Sequence, residues 1–163
     1  MLFLLATPEY NNVQSNTTKV RVHLRSGVAE IFEQHQDLMG KIDNDIVEIE
    51  TNFENRLEKI WFVLQDAVFI VSNQKANAGN SAFENEGTGV YVYAKRVKEI
   101  NSSVSLEEVS KVYEQKTLLL EAEEQKLAEQ NPDSSSTSAK ILVLKDEVNF
   151  FKKVIAVIKN FKS

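Results

Sequence analysis

Residues 19–50, KVRVHLRSGVAEIFEQHQDLMGKIDNDIVEIE, form the stretch whose reading decides the fold. At its start Val20, Val22 and Leu24 alternate with Arg21, His23 and Arg25, the period of two expected of a half-buried strand. Ser26-Gly27 offers a turn, and Val28 to Phe32 forms a second short apolar run. Further on, Val47 and Ile49 alternate with Glu48 and Glu50. Short strands broken by turn residues predict a small antiparallel sandwich or barrel with this segment at its centre.

Working outward, Leu2 to Ala6 predicts a first strand, closed by Pro8 and the polar run 11–18. Residues 52–55 read as a hairpin turn into 60–64, IWFVL, which is apolar on both faces as a strand covered on two sides would be. Gln65-Asp66 breaks that run, and 67–71 supplies the next strand. The small, polar segment 75–88 reads as an exposed loop before a strand over 90–94, and the β region, residues 1–100, closes near Ile100.

The period then changes to about 3.6. Ser105 and Glu108 have capping-box spacing, with Val104 and Val109 placed for a hydrophobic staple. Leu106, Tyr113, Leu120 and Leu127 fall on one line, widened by Val109, Val112 and Leu119, which predicts an amphipathic helix to Gln130. Asn131-Pro132-Asp133 stops it, and the serine-rich 134–138 reads as a flexible turn. On a second helix Leu144, Val148, Phe151, Ile155 and Ile158 make one stripe, and Phe150, Val154, Val157 and Phe161 make another about 100° round. Residues 105–130 hold seven Glu and three Lys, net −4, whereas 138–161 hold five Lys and two acids, net +3. Opposite charge and a short polar connection predict an antiparallel hairpin over 101–163. Its second helix is more apolar than one partner helix can cover, so the excess should face the sandwich or another protein. The expected class is therefore α+β, an antiparallel β-sandwich followed by a two-helix hairpin.

Composition narrows the function. With 163 residues, 42% hydrophobic and 26% charged, the chain is an ordinary folding sequence of one medium or two small domains. A net charge of −5 and a pI near 5.2 argue against nucleic-acid or anionic-membrane binding. Cysteine is absent, which excludes disulfides and thiolate metal sites and suits a reducing cytoplasm. The apolar MLFLLA lacks a basic flank and is too short for a signal peptide or a span, so no direct membrane insertion is expected.

No nucleophile motif, phosphate-cradling loop or dinucleotide fingerprint is present, and no acid, base and nucleophile can be assembled into a catalytic set. His23 alternates with arginines on a polar face and reads as a surface residue. His35, among Gln34, Gln36 and Asp37, reads as a hydrogen-bonding turn residue, and neither histidine has metal-ligand company. The run Glu121-Ala122-Glu123-Glu124 reads as a solvated helix face, and Tyr91 and Tyr93 read as sheet-face residues. No cofactor is expected.

A strand ending in Thr7-Pro8-Glu9, the run VRVHLRSG, a turn bearing His35, the strand IVEIE and the segment WFVLQDAVFIVSN precede the hairpin. In this order the chain resembles the epsilon subunit of F-type ATP synthases (delta in mitochondria). The resemblance covers nearly the whole chain; it is strongest over 2–73 and rests on architecture after Ser103. It implies a non-enzymatic central-stalk subunit, cytoplasmic and peripheral to the membrane. Its sandwich would bind the gamma subunit, and one end, near Gly27 and His35, would touch the membrane rotor ring. The hairpin would fold down or reach the alpha/beta catalytic head and restrain ATP hydrolysis. Leu120, Leu127, Phe150, Phe151, Val154, Ile155, Val157, Ile158 and Phe161 would serve hairpin packing or a partner.

The sequence departs from that family at definite places. Val28 replaces the acid that follows the glycine matched by Gly27, and Glu30, Glu33, Gln34 and Asp37 replace the turn's later glycines and proline. Gln65-Asp66 stands where the family has Gly-Gly, and 75–88 reads as an insertion. No arginine follows Arg96, so the regulatory ATP site of some bacterial members is not carried over. These losses, with an Asn/Lys-rich composition, suit a divergent, mollicute-like member. The alternative is an epsilon-like subunit of a paralogous F-type-like ATPase uncoupled from proton translocation, as in a gliding-motility motor. A third reading is an unrelated two-module adaptor.

Overall fold

The computed structural model describes residues 1–8, 13–53, 56–74, 87–130 and 138–161. The chain divides into two compact units, Met1–Asn101 and Ser102–Ser163.

The first unit holds β1 (Leu2–Ala6), β2 (Val13–Asn16), β3 (Lys19–Leu24), β4 (Gly27–Ile31), β5 (Leu38–Phe53), β6 (Arg56–Gln74) and β7 (Gly87–Ile100). They hydrogen-bond in the order β2-β1-β7-β6-β5-β3-β4, antiparallel except for the β1–β7 pair. Together with the two helices described below this is the expected α+β fold, a β-sandwich followed by a helical hairpin.

The sandwich arises from a single sheet with a common interruption. β5, β6 and β7 pair continuously except at one row, where Asp43, Asp66 and Lys95 drop out of the ladder. Side chains change parity there. In β6 the core takes Phe62 and Leu64 before the row, then Ala67, Phe69 and Val71 after it. In β5 it takes Ile42 before and Val47 and Ile49 after. Asp66 adopts φ 48°, and this left-handed step turns the strand over so that apolar residues stay inside on both sides of it. The two halves meet in one cluster, in which Phe3 of β1 stacks on Phe62 of β6 with centroids 6.1 Å apart.

Four readings of the sequence are thereby corrected in whole or in part. Residues 60–64 and 67–71 are not two strands around a turn but parts of β6, because Gln65-Asp66 twists the ladder without ending it. Gly87 and Thr88 belong to β7 rather than to a loop, and 75–86 lie outside the described residues. The polar run after Pro8 contains β2, which pairs only with β1. Of the expected turn at 52–55, Asn52 and Phe53 continue β5, and the rest lies outside the described residues.

The second unit is α1 (Leu106–Gln130) and α2 (Ala139–Phe161). The Ser105 hydroxyl accepts the Glu108 N–H at 3.2 Å and its carbonyl accepts the Val109 N–H, so α1 starts at the predicted cap. Ser138 caps α2 in the same way through the N–H of Ile141 and of Leu142. The reading of 131–137 as a turn falls outside the described residues. Lys116–Glu147, Glu123–Lys140 and Glu124–Lys145 ion pairs of 2.7–2.8 Å join the helices. Lys116, earlier on α1, pairs with Glu147, whereas Glu123 and Glu124, further along α1, pair with Lys140 and Lys145 nearer the start of α2, which makes the hairpin antiparallel.

Candidate functional site

The end of the sandwich where β4 passes into β5 carries a dense polar network. β4 leaves the sheet at Ile31, and the chain turns through Glu33, Gln34 and His35 before β5 begins at Leu38. Gln34 takes φ 65°, and the His35 N–H closes the turn on the Phe32 carbonyl at 3.1 Å. The His35 Nδ1 lies 2.7 Å from the Gln36 carbonyl oxygen. A carbonyl only accepts, so Nδ1 carries a proton and donates it there.

Two side chains from strands distant in sequence hold this turn. Thr88, 2% exposed, accepts the Gln34 N–H on its hydroxyl oxygen and donates the hydroxyl proton to Asn73 Oδ1, both at 2.7 Å. Its own N–H goes to Glu33 Oε1 at 2.7 Å. The Asn73 amide nitrogen donates to the His35 carbonyl and, at 3.1 Å, to Asp37 Oδ1. Asp37 Oδ1 also takes the Asn73 N–H at 3.0 Å. The Thr88 N–H, followed by the Met1 amino group at 2.9 Å, holds the Glu33 carboxyl below its ordinary range. Gly87, at φ 129°, precedes this contact; a Cβ there would stand 2.7 Å from Glu33 Oε1.

Gly27 is not part of this network. It sits at φ 134° in the tight β3–β4 turn, opposite Leu24. β4 separates it from the His35 turn by about 13 Å of strand. A partner touching both residues would have to run the length of β4. Sequence reasoning singled out His35 and the replaced turn residues but not Asn73 or Thr88.

The outer faces of the sandwich differ chemically. On β3, β4 and β5, Arg21 bridges Glu30 at 2.9 Å and Glu48 at 3.3 Å, and the His23 Nε2–H reaches Glu48 at 2.7 Å. Lys19 and Lys59 flank Glu50, and the hydrogen bond from Lys59, helped by Lys19, pulls its carboxyl below the usual range. On the other half, register aligns Met39, Ile70, Tyr91 and Leu4 in one row. Lys41, Val68, Tyr93 and Ala6 form the next. Met39 is 71%, Tyr93 51% and Val68 41% exposed. This is an apolar surface four strands wide, and Tyr91 and Tyr93 are the sheet-face residues the alternation predicts.

In the hairpin, Val154 and Ile158 are fully buried, Phe150 and Val157 nearly so, and Phe151, Ile155 and Phe161 half-buried. Phe150 meets Phe151 edge-on at 5.5 Å. Leu120 and Leu127 are half-buried on α1, whereas Leu119, expected to widen their stripe, is exposed. One residue is about 100° of helix, enough to carry Leu119 out of the contact Leu120 makes.

No protein-family model matches the sequence, and no curated protein matches it. The fold matches a chain of the Euglena gracilis mitochondrial ATP synthase, in a structure of OSCP, F1 and c-ring in rotational state 1, with TM-score 0.58 and 13% identity. The match covers 96% of this chain and 79% of that one. A chain of the Tetrahymena thermophila mitochondrial ATP synthase central stalk and c-ring aligns over 94% of this chain and 95% of its own, with 12% identity and TM-score 0.44. At these identities the Euglena likeness establishes a shared fold, from one end of the chain to the other.

Proposed function

We propose that this chain is a non-catalytic central-stalk subunit of an F-type rotary ATPase, linking gamma to the rotor and modulating ATP hydrolysis through its hairpin. The observation that carries the reading is the likeness to the Euglena ATP synthase chain over 96% of the residues, sandwich and hairpin together. The sequence resemblance to epsilon subunits, drawn from strand order and the Gly27 and His35 positions, points the same way. The apolar rows through Met39, Val68 and Tyr93 suit gamma as a permanent neighbour, since large exposed apolar patches mark interaction surfaces. The end turn bearing His35 is the part that would face the rotor ring, and the apolar helix residues Phe150 to Phe161 serve the hairpin or its partners. Among the described residues no helix is long and apolar enough to cross a membrane, in keeping with a peripheral place in such a complex.

The test is gentle purification of the tagged chain from its own cells. Co-purification of alpha-, beta- and gamma-like subunits is expected. Recovery of the chain alone, or only with proteins unrelated to a rotary ATPase, overturns the reading.

A further inference from the structure

We infer that Asn73 and Thr88 are positioning residues that hold the 32–37 turn in one conformation for docking. The occupant is the rotor ring, and for that the inference rests on the stalk-subunit reading. The argument begins at Gln34, one of only two non-glycine residues of positive φ among those described. A side chain in the left-handed region brings its Cβ too close to the following carbonyl oxygen, so a turn built on Gln34 has other conformations within easy reach. What opposes them is geometry from elsewhere in the chain. Thr88 and Asn73 come from the facing ends of β7 and β6 and are paired across that ladder. Between them they bond Glu33, Gln34, His35 and Asp37, four of the five residues from 33 to 37. The Asn73 amide has one workable orientation: its nitrogen faces a carbonyl and a carboxylate, which only accept, and its oxygen faces the Thr88 hydroxyl. The Thr88 hydroxyl likewise has its proton committed to Asn73 and its lone pair to Gln34. Every donor and acceptor in the clamp is therefore assigned, and removing one hydroxyl opens two bonds together. Clamped in this way, the turn presents the His35 ring in a fixed place beside the exposed Phe32 and Leu38.

The experiment compares wild type, Thr88→Val and Thr88→Ser in the full chain, with two readouts. The first is amide hydrogen exchange by NMR at Gln34 and Asn73, with core amides such as Val22 and Val47 as controls. Thr88→Val keeps the shape and loses the hydroxyl; exchange at Gln34 is expected to rise about tenfold, as the loss of one or two hydrogen bonds implies, with the core unchanged. Thr88→Ser restores the hydroxyl and is expected to restore protection. Asn73→Asp, which sets a second carboxylate against Asp37, should reproduce the valine result on the β6 side. The second readout is the fraction of chain that co-purifies with the rotary ATPase, expected to fall in Thr88→Val and recover in Thr88→Ser. Unchanged exchange in Thr88→Val, or no recovery in Thr88→Ser, overturns the clamp. Faster exchange with undiminished co-purification overturns its positioning role. A wild-type chain that fails to co-purify sinks the stalk reading instead, and the exchange comparison then decides the clamp by itself.

Discussion

At the scale of single residues, the two left-handed side chains explain what replaced glycine. Asp66 stands in the place of the resembled family's Gly-Gly, and Gln34 is among the residues that replace its turn's glycines and proline; both have a glycine-like backbone, at φ 48° and 65° respectively. Asp tolerates this region better than most residues, and its exposed carboxylate lies 3.6 Å from Lys95. Asp66→Gly is therefore expected to leave stability unchanged or raise it by up to about 1 kcal/mol, while Asp66→Val should cost about 2 kcal/mol. Urea unfolding distinguishes the two, and equal losses in both variants would contradict a conformational role. Gly40 sets a different constraint: an added Cβ would fall 2.4 Å from the ring of the fully buried Phe69. Gly40→Ala should cost about 1–3 kcal/mol in the same assay, because the ring has no room to withdraw. The acids give a pH dependence. The carboxyl of Glu33, held by the Thr88 N–H, is depressed, as are those of Asp43 beside Lys41 and Glu123 between Lys140 and Lys126. A group whose folded pKa lies below its unfolded value, about 4.3 for Glu, adds stability above that value and loses it as pH falls through the folded one. Thermal midpoints should thus fall between about pH 5 and pH 3. Glu33→Gln, which keeps an acceptor for Thr88, should make that fall shallower; an unaltered slope would remove Glu33 from the account.

At the scale of elements, the hairpin owes its pairing to charge and its termini to serine. Ser105→Ala removes the acceptor for Glu108 N–H and is expected to cost about 1 kcal/mol, read as a lower helix-melting midpoint by circular dichroism. Lys116 and Glu147, 2.7 Å apart and each less than a third exposed, are the most sheltered of the interhelical pairs. Reversing either charge should destabilise the hairpin at low salt, and reversing both should restore it; failure of the double reversal would show that the pair does not set the register. Both helices were legible because their apolar periods and the charge contrast are local properties. The long strands were legible only in fragments. β6 carries its twist at a row shared with β5 and β7, and a local reading cannot distinguish that row from a turn. β2 was missed because a short edge strand bonded to β1 alone needs no apolar alternation. Asn73 and Thr88 were invisible for a stronger reason: their partners in the turn lie 36 to 55 residues away, and no spacing rule reaches that far. The one available clue was Gln34 in a turn that the resembled family builds with glycines and a proline, since a side chain in such a turn needs something to hold it.

At the scale of the whole molecule, the contrast between the two outer faces of the sandwich decides where a permanent partner belongs. The Glu30–Arg21–Glu48 ladder, with Lys19 also on Glu30, pairs charge with charge across three strands, and covering it with a protein would cost desolvation with little apolar area in return. The rows through Met39, Val68 and Tyr93 offer the reverse, apolar area with Lys41 as the one cation among their eight side chains. Association driven by burial therefore favours that face. A single charge at its centre tests the point. Val68→Glu and Tyr93→Glu place a carboxylate on an exposed position outside the core, so the isolated chain should keep its thermal midpoint to within a few degrees, as surface changes usually do. Bound to a partner, the same carboxylate would be buried without a counter-charge, and co-purification with stalk subunits should fall by tenfold or more. Glu30→Gln on the charged face is the control and should leave co-purification intact. Loss of binding in Glu30→Gln with retention in Val68→Glu would place the partner on the ladder instead and reverse the assignment of the two faces.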